Sequence, residues 1–226
     1  MGEEWLYPLP EGVSERDAAA TALTGITAHL GLFAKARLQP GETVLVNGGA
    51  GGVGSMVVQL AKAAGARVIA TAGSDERVAK AKAFGADLAL NYRSPDLAAA
   101  VKAFAPGGVN VFWETQREPD FDRAVPLLAP RGRFVLMAGR DARPTFPVGP
   151  FYVKDCSLHG FAMFNAMPDE QRPCAADLNR WLAAGQVRAN IDRVLPLAAA
   201  AAAHRLQEES TLQKSGVLAG KIVLKP

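Results

Sequence analysis

The stretch Asn47-Gly48-Gly49-Ala50-Gly51-Gly52-Val53-Gly54 constrains this chain more than any other. It contains G-x-G-x-x-G at Gly49, Gly51 and Gly54. Alone, such a match carries little weight, because glycine-rich turns are common. Its setting is more specific. It follows Thr43-Val44-Leu45-Val46-Asn47, a short apolar run suited to a strand buried on both faces. It then opens an apolar helical stretch, from about 53 to 64, that stops at Gly65. Each glycine has a task in such a unit. One permits the tight turn. Gly51, lacking a side chain, lets a pyrophosphate approach the backbone, and Gly54 lets the helix lie close to the strand. The helix start offers unpaired N–H groups and partial positive charge to phosphate. The motif predicts a dinucleotide site.

The surrounding rhythm agrees. After the glycine helix come a strand at 67–71, a helix at 75–84 closed by Gly85 and a strand at 88–91. Ser94-Pro95 reads as a helix start, leading to about 104. A strand at 109–113, a helix at 121–128 and a strand at 133–137 continue the alternation. Repeated strand–helix–strand units predict an α/β fold, a doubly wound parallel sheet of Rossmann type. Upstream, Pro8 and Pro10 interrupt a lead-in, Ser14 begins a helix running to about Lys35, and Pro40-Gly41 makes a turn. The segment Ser157–Phe164 should add a sixth strand at the sheet edge. After it come a helix at 169–184, an Ala-rich helix at 197–208 and a strand at 221–224, which form a tail.

The end of the second strand bears on which dinucleotide fits. An NAD site usually places an acid there, on the ribose 2′-hydroxyl. This strand ends in small neutral residues, Thr71-Ala72-Gly73-Ser74, and Asp75 reads as a first-turn acid behind an N-cap Ser74. No carboxylate repels a 2′-phosphate, and Arg77 and Arg93 lie nearby in sequence. NADPH is the expected cofactor.

Composition excludes other classes. With 226 residues, 49% of them apolar, the chain can bury a real core. A net charge of +3 without a basic run gives no footprint for nucleic acid. No apolar run approaches a membrane span, and the start lacks a signal peptide's pattern, so a soluble cytoplasmic setting is expected. Cys156 and Cys174 form no C-x-x-C pair, and His29, His159 and His204 show no ligand spacing, so no metal is expected.

Several segments together resemble the quinone oxidoreductase (zeta-crystallin-like) branch of the medium-chain dehydrogenases/reductases. They are Leu23–Ala28, Val44–Gly54, Val58–Lys62, Gly85-Ala86-Asp87, Asn91-Tyr92-Arg93, Gly132-Arg133-Phe134, Ser157–Gly160 and Gly220–Leu224. The similarity covers nearly the whole chain from Ala18 onward. The resemblance implies that Ala50, Gly51, Gly52 and Val53 hold the pyrophosphate. It puts Gly73, Ser74, Arg77 and Tyr92 around the 2′-phosphate, and Thr27, Thr115, Ala138, Gly139 and Phe161 toward the ribose and nicotinamide. Leu23 stands where zinc-dependent relatives carry a metal-binding cysteine, which implies the zinc-free branch.

The chain departs from the pattern twice. The usual Asp-x-x-Gly after the fourth strand reads Glu114-Thr115-Gln116-Arg117. Most of the family's N-terminal, GroES-like catalytic domain has no counterpart. The expected organisation is therefore a remnant of that domain at 1–24, an NADP-binding domain at 25–162 and a tail at 163–226 that returns to the incomplete domain. The implied activity is NADPH-dependent hydride transfer to a small-molecule quinone or α,β-unsaturated carbonyl, with no catalytic acid or base assigned. A non-catalytic NADPH-binding module, half of a split enzyme, and an enoyl-thioester reductase domain are the alternatives. A homodimer through Ser157–Phe164 is the expected assembly.

Overall fold

The computed structural model describes residues 2–213 and 215–226. Its centre is a six-stranded sheet of β1 (Thr43–Asn47), β2 (Arg67–Ala72), β3 (Leu88–Asn91), β4 (Val109–Glu114), β5 (Leu128–Leu136) and β6 (Ser157–Gly160). The spatial order is β3-β2-β1-β4-β5-β6 and every neighbouring pair is parallel. The chain winds outward from β1 in one direction and returns to build the other half from β4, as the alternation of elements predicts. The crossover between β1 and β4 is the topological switch point, where open α/β sheets bind ligands beyond the carboxyl ends of their strands.

Side-chain alternation along the strands divides the interior in two. Val44, Val46, Trp113 and Val135 point to one face, packed by α1 (Glu15–His29), α2 (Gly52–Ala63) and Trp181 of α7 (Pro168–Ala183). Leu45, Ile69, Phe112 and Phe134 point to the other, toward α4 (Leu97–Phe104) and α5 (Phe121–Ala124). Covering both faces demands continuous apolar strands, which is why Thr43–Val46 is buried throughout. α1 runs on into a π-helical turn at Leu30–Lys35. There a Cβ on Gly31 would lie 2.2 Å from the Trp113 ring, so only glycine lets the turn seat over that indole.

Some expectations need correcting. The helix expected from Ser94 begins at Leu97. Ser94–Asp96 form a turn in which the Leu97 N–H reaches the Ser94 carbonyl, so Pro95 precedes the helix rather than opening it. The helix expected to reach Leu128 is α5 plus a 3-10 turn at Val125–Leu127, and β5 starts at Leu128. The sixth strand is at the edge but stops at Gly160, and Met163–Asn165 form a 3-10 turn. α3 (Asp75–Ala83) matches expectation closely, the Ala-rich helix expected at 197–208 is a 3-10 turn at Leu197–Ala199 followed by α8 (Ala200–Thr211), and α6 (Val148–Tyr152) was not foreseen. Nor was β7 (Ile191–Pro196), which pairs in parallel with β8 (Lys221–Lys225). Asp192 and Arg193 interrupt its apolar pattern, and the pairing that makes it a strand lies about 30 residues further on.

The tail is not detached from the sheet domain. Asn190, just before β7, donates from Nδ2 to the carbonyls of Ala50 (3.0 Å) and Gly51 (3.3 Å), and β8 packs on α1. The Gln59 amide of α2 donates to the Arg188 carbonyl at 3.1 Å and accepts from the Arg188 N–H at 2.9 Å. The glycine loop is thus braced from behind by the tail.

Candidate dinucleotide site

The glycine loop closes through Gly48, whose φ of +90° lies in the region that side chains disfavour. The Gly48 carbonyl accepts from the Gly51 N–H at 3.1 Å. A Cβ on Gly54 would lie 2.1 Å from that same carbonyl oxygen, and one on Gly49 would lie 2.6 Å from Cβ of Ala70 in β2. Gly49 therefore sets the approach to the neighbouring strand, while Gly54 sets the approach of α2 to the loop itself. Gly51 differs: a Cβ there would meet only the Gly48 oxygen, at 3.4 Å. It is the exposed N-cap of α2 and no side chain caps that helix. Its first-turn N–H groups are left for an outside acceptor, which the helix dipole makes favourable for an anion.

A cavity of about 420 Å³ opens over this loop. It brings together Ala50, Gly51, Gly73, Arg77, Tyr92 and Thr115 from the expected set, and adds Arg93, Arg117, Ser210 and Thr211. Gly73 is small for a local reason: a Cβ there would lie 2.4 Å from the Tyr92 hydroxyl, so the tyrosine lies across the end of β2. Ser74 caps α3, its Oγ accepting from the Arg77 N–H at 3.4 Å. Arg77 is held by the tail, with Nη2 donating to the Gly216 carbonyl at 2.8 Å and to that of Leu218. Lys80 donates to the Ala219 carbonyl. Sequence separation hid these contacts, since the tail segment lies about 140 residues from α3.

A second cavity, of about 290 Å³, shares Tyr92, Gln116 and Glu118 with the first. Its walls are apolar at Leu45, Leu97 and Phe112, and polar at Asn47, Thr71, Glu114 and Arg123. The polar side is a connected network. Glu114 is 1% exposed, and its oxygens accept from Asn47 Nδ2 at 2.9 and 3.0 Å and from the Gln116 N–H at 2.7 Å. Burial raises the Glu114 carboxyl above the usual glutamate range, against the lowering effect of those hydrogen bonds. Asn47 and Glu114 each end a buried strand with a polar side chain, a signal the sequence carries but that gains meaning only when β1 and β4 pair.

The rest of the expected set lies elsewhere. Ala138, Gly139 and Phe161 line a broad depression of about 880 Å³ with Arg117, Glu118 and Arg140. Phe161 also packs edge-on against Trp113, with ring centroids 6.1 Å apart. Gly52 and Val53 form the first turn of α2, Val53 against the core. Thr27 does not join either cavity: it is 5% exposed and its hydroxyl donates to the Leu23 carbonyl at 2.8 Å. Among the described residues no three His, Cys, Asp or Glu side chains are grouped to hold a metal ion. No described helix is long and apolar enough to cross a membrane. Burial pushes the Cys174 thiol up to about 11, consistent with an inert structural role.

Comparison with known proteins places this geometry. The sequence profile of the family described as zinc-binding dehydrogenase matches residues 52–180. A quinone oxidoreductase of Rattus norvegicus is 32% identical over 219 residues, covering 96% of this chain and 65% of that protein. A solved NAD-dependent alcohol dehydrogenase superposes with a TM-score of 0.87 at 33% identity, over 100% of this chain and 63% of its own. The quinone oxidoreductase of Thermus thermophilus, solved also with NADPH, gives 0.78 at 30% identity, over 98% and 70%. The chain spans 58% to 65% of the length of the first curated relatives it matches.

Proposed function

The chain belongs to the zinc-binding dehydrogenase family, and on that footing we propose that it is the NADPH-binding part of an oxidoreductase acting on a quinone or an α,β-unsaturated carbonyl. One observation carries the reading. The glycine loop stands at the β1–β4 switch point with the bare N-terminus of α2 beneath a cavity that reaches Arg77 and Tyr92. In this reading the pyrophosphate lies on Ala50–Val53 and the adenine enters the cavity between Leu45, Leu97 and Phe112. The 2′-phosphate meets Gly73, Ser74, Arg77 and Tyr92, and the nicotinamide extends past Thr115 toward Ala138, Gly139 and Phe161. Arg77 gives Nη2 to tail carbonyls, so the phosphate takes its remaining donors.

The nicotinamide, when bound, supplies the hydride. The chain's own residues bind and orient it and shield its apolar parts from water. In the same reading residues 25–162 bind the nucleotide, while 1–24 are a remnant of, and 163–226 a tail returning to, a second unit that this chain does not complete. A second copy is proposed to pair along β6, an edge strand that carries the exposed Leu158.

Fluorescence titration with NADPH and NADH tests the cofactor. Tighter binding of NADPH, by about tenfold or more, is expected from one guanidinium–phosphate contact. Equal affinities overturn the preference, and a neighbour described as NAD-dependent makes the NADH arm essential. NADPH oxidation with a small quinone, and separately with an enoyl thioester, tests turnover and the acceptor.

A further inference from the structure

We propose that Glu114 is a positioning residue for this site. Its carboxylate, acting through Asn47, holds the glycine loop and the 115–118 loop in their binding geometry, and dinucleotide affinity falls when it takes up a proton. The inference rests on the cofactor reading above.

The hydrogen bonds run in one direction. Asn47 Nδ2 donates to both Glu114 oxygens, and the Gln116 N–H donates to Oε1. With its NH2 committed, the Asn47 amide turns Oδ1 to the Thr71 hydroxyl, which donates at 2.6 Å. Thr71 Oγ1 in turn accepts from the Gly48 N–H at 3.3 Å, a hydrogen that the Thr71 carbonyl shares at 3.2 Å. The Thr115 hydroxyl closes the group by donating to the Asn47 carbonyl at 2.5 Å. One carboxylate therefore ties together the ends of β4, β1 and β2 and the first glycine of the loop. Flipping the Asn47 amide would break both sides of this relay.

Ionisation matters because these partners all present N–H donors to Glu114. A carboxylate accepts them all, whereas a carboxylic acid must place an O–H where only donors stand, and so gives up at least one bond. Burial moves this protonation above the ordinary glutamate range, and the charge of Asp120 adds to it. The hydrogen bonds from Gln116, Asn47 and Thr115 oppose it. The titratable and charged groups sharing the cavity are Tyr92 at the end of β3, Glu118 and Asp120 on the loop after β4, and Arg123 on α5. Arg123 is engaged by the Tyr92 carbonyl, at 2.8 Å.

The test is calorimetric titration of the full chain with NADP+, from about pH 5 to about pH 8, for wild type, Glu114→Gln and Glu114→Asp, with circular dichroism to verify folding. The cofactor's own 2′-phosphate titrates alike in all three, so the quantity read is the ratio of variant to wild-type dissociation constants. Glu114→Gln is expected to bind about tenfold more weakly at the alkaline end, since one N–H donor loses a charged acceptor. The ratio should shrink toward one as pH falls and the wild-type carboxylate itself takes up a proton. A ratio of one throughout, or a loss that does not change with pH, overturns the proposal. Glu114→Asp keeps the charge and decides the matter if the glutamine variant does not fold. It should retain the wild-type fall in affinity toward acid, and a flat profile would overturn the proposal. If the wild type binds at no pH, the cofactor reading fails and this inference fails with it.

Discussion

Replacing Gly51 by valine separates binding from folding. The Gly51 backbone, at φ −77° and ψ 178°, suits any residue, and an added Cβ meets only the Gly48 oxygen at 3.4 Å. Valine is a poorer N-cap than glycine, by about 1 kcal/mol. In a chain of this size that lowers the melting temperature by about 2–4 °C. The isopropyl group would stand over the first turn of α2, where the phosphates are proposed to sit. Losing two charge-assisted hydrogen bonds, at about 1.5–3 kcal/mol each, removes about 3–6 kcal/mol of binding. That is a loss of about two to four decades in affinity. Differential scanning fluorimetry and NADPH fluorescence titration on the same sample measure both quantities. A folded Gly51→Val protein that binds like wild type would show that the phosphates lie elsewhere. Gly54→Ala is the internal contrast. Its Cβ would lie 2.1 Å from the oxygen and 2.9 Å from the carbon of the Gly48 carbonyl, backbone atoms that must move with the loop. A stability loss of about 3 kcal/mol is expected there, and an unchanged melting temperature would contradict the loop geometry.

Arg77→Ala should narrow the NADPH-over-NADH preference by about tenfold while leaving NADH affinity nearly unchanged, read by parallel titrations. Equal losses for both cofactors would mean that Arg77 acts only through its hold on the tail. For Glu42, burial would raise the carboxyl, but hydrogen bonds from Arg133 and the Gln39 N–H, with the Arg133 charge, hold it below the usual range. A depressed pKa contributes stability that is present above the ordinary glutamate pKa and lost as pH falls through the folded value. Glu42→Gln should therefore lower the melting temperature at neutral pH and flatten its decline in acid, and a parallel acid limb would refute the linkage. Leu158→Glu should convert the proposed dimer to a monomer in light scattering without changing cofactor affinity. An unchanged mass would place the contact elsewhere, or show that none exists. Phe161 is unsuited to that test, because it packs on Trp113 rather than along the open edge.

The sheet and the glycine loop are legible in consecutive residues. Val44–Val46 is apolar at every position because both faces of β1 are covered, and the glycines that follow include Gly49 and Gly54, where the loop must approach β2 and α2 must approach the loop. Such requirements are local, and the order of elements then leaves little choice of topology. The neutral end of β2 was legible for the same reason. What depends on residues far apart was settled only by packing. Packing seated the tail carbonyls on Arg77 and braced the glycine loop with Asn190. It made a strand of Ile191–Pro196 by pairing it with Lys221–Lys225. It turned the Thr27 hydroxyl back onto its own helix, at the Leu23 carbonyl. It also joined Thr71, Asn47 and Glu114 into one network. In sequence these last three are merely polar residues near strand ends. Parallel pairing in one register sets them side by side, and the burial of Thr71 and Glu114 leaves these polar groups to bond to one another.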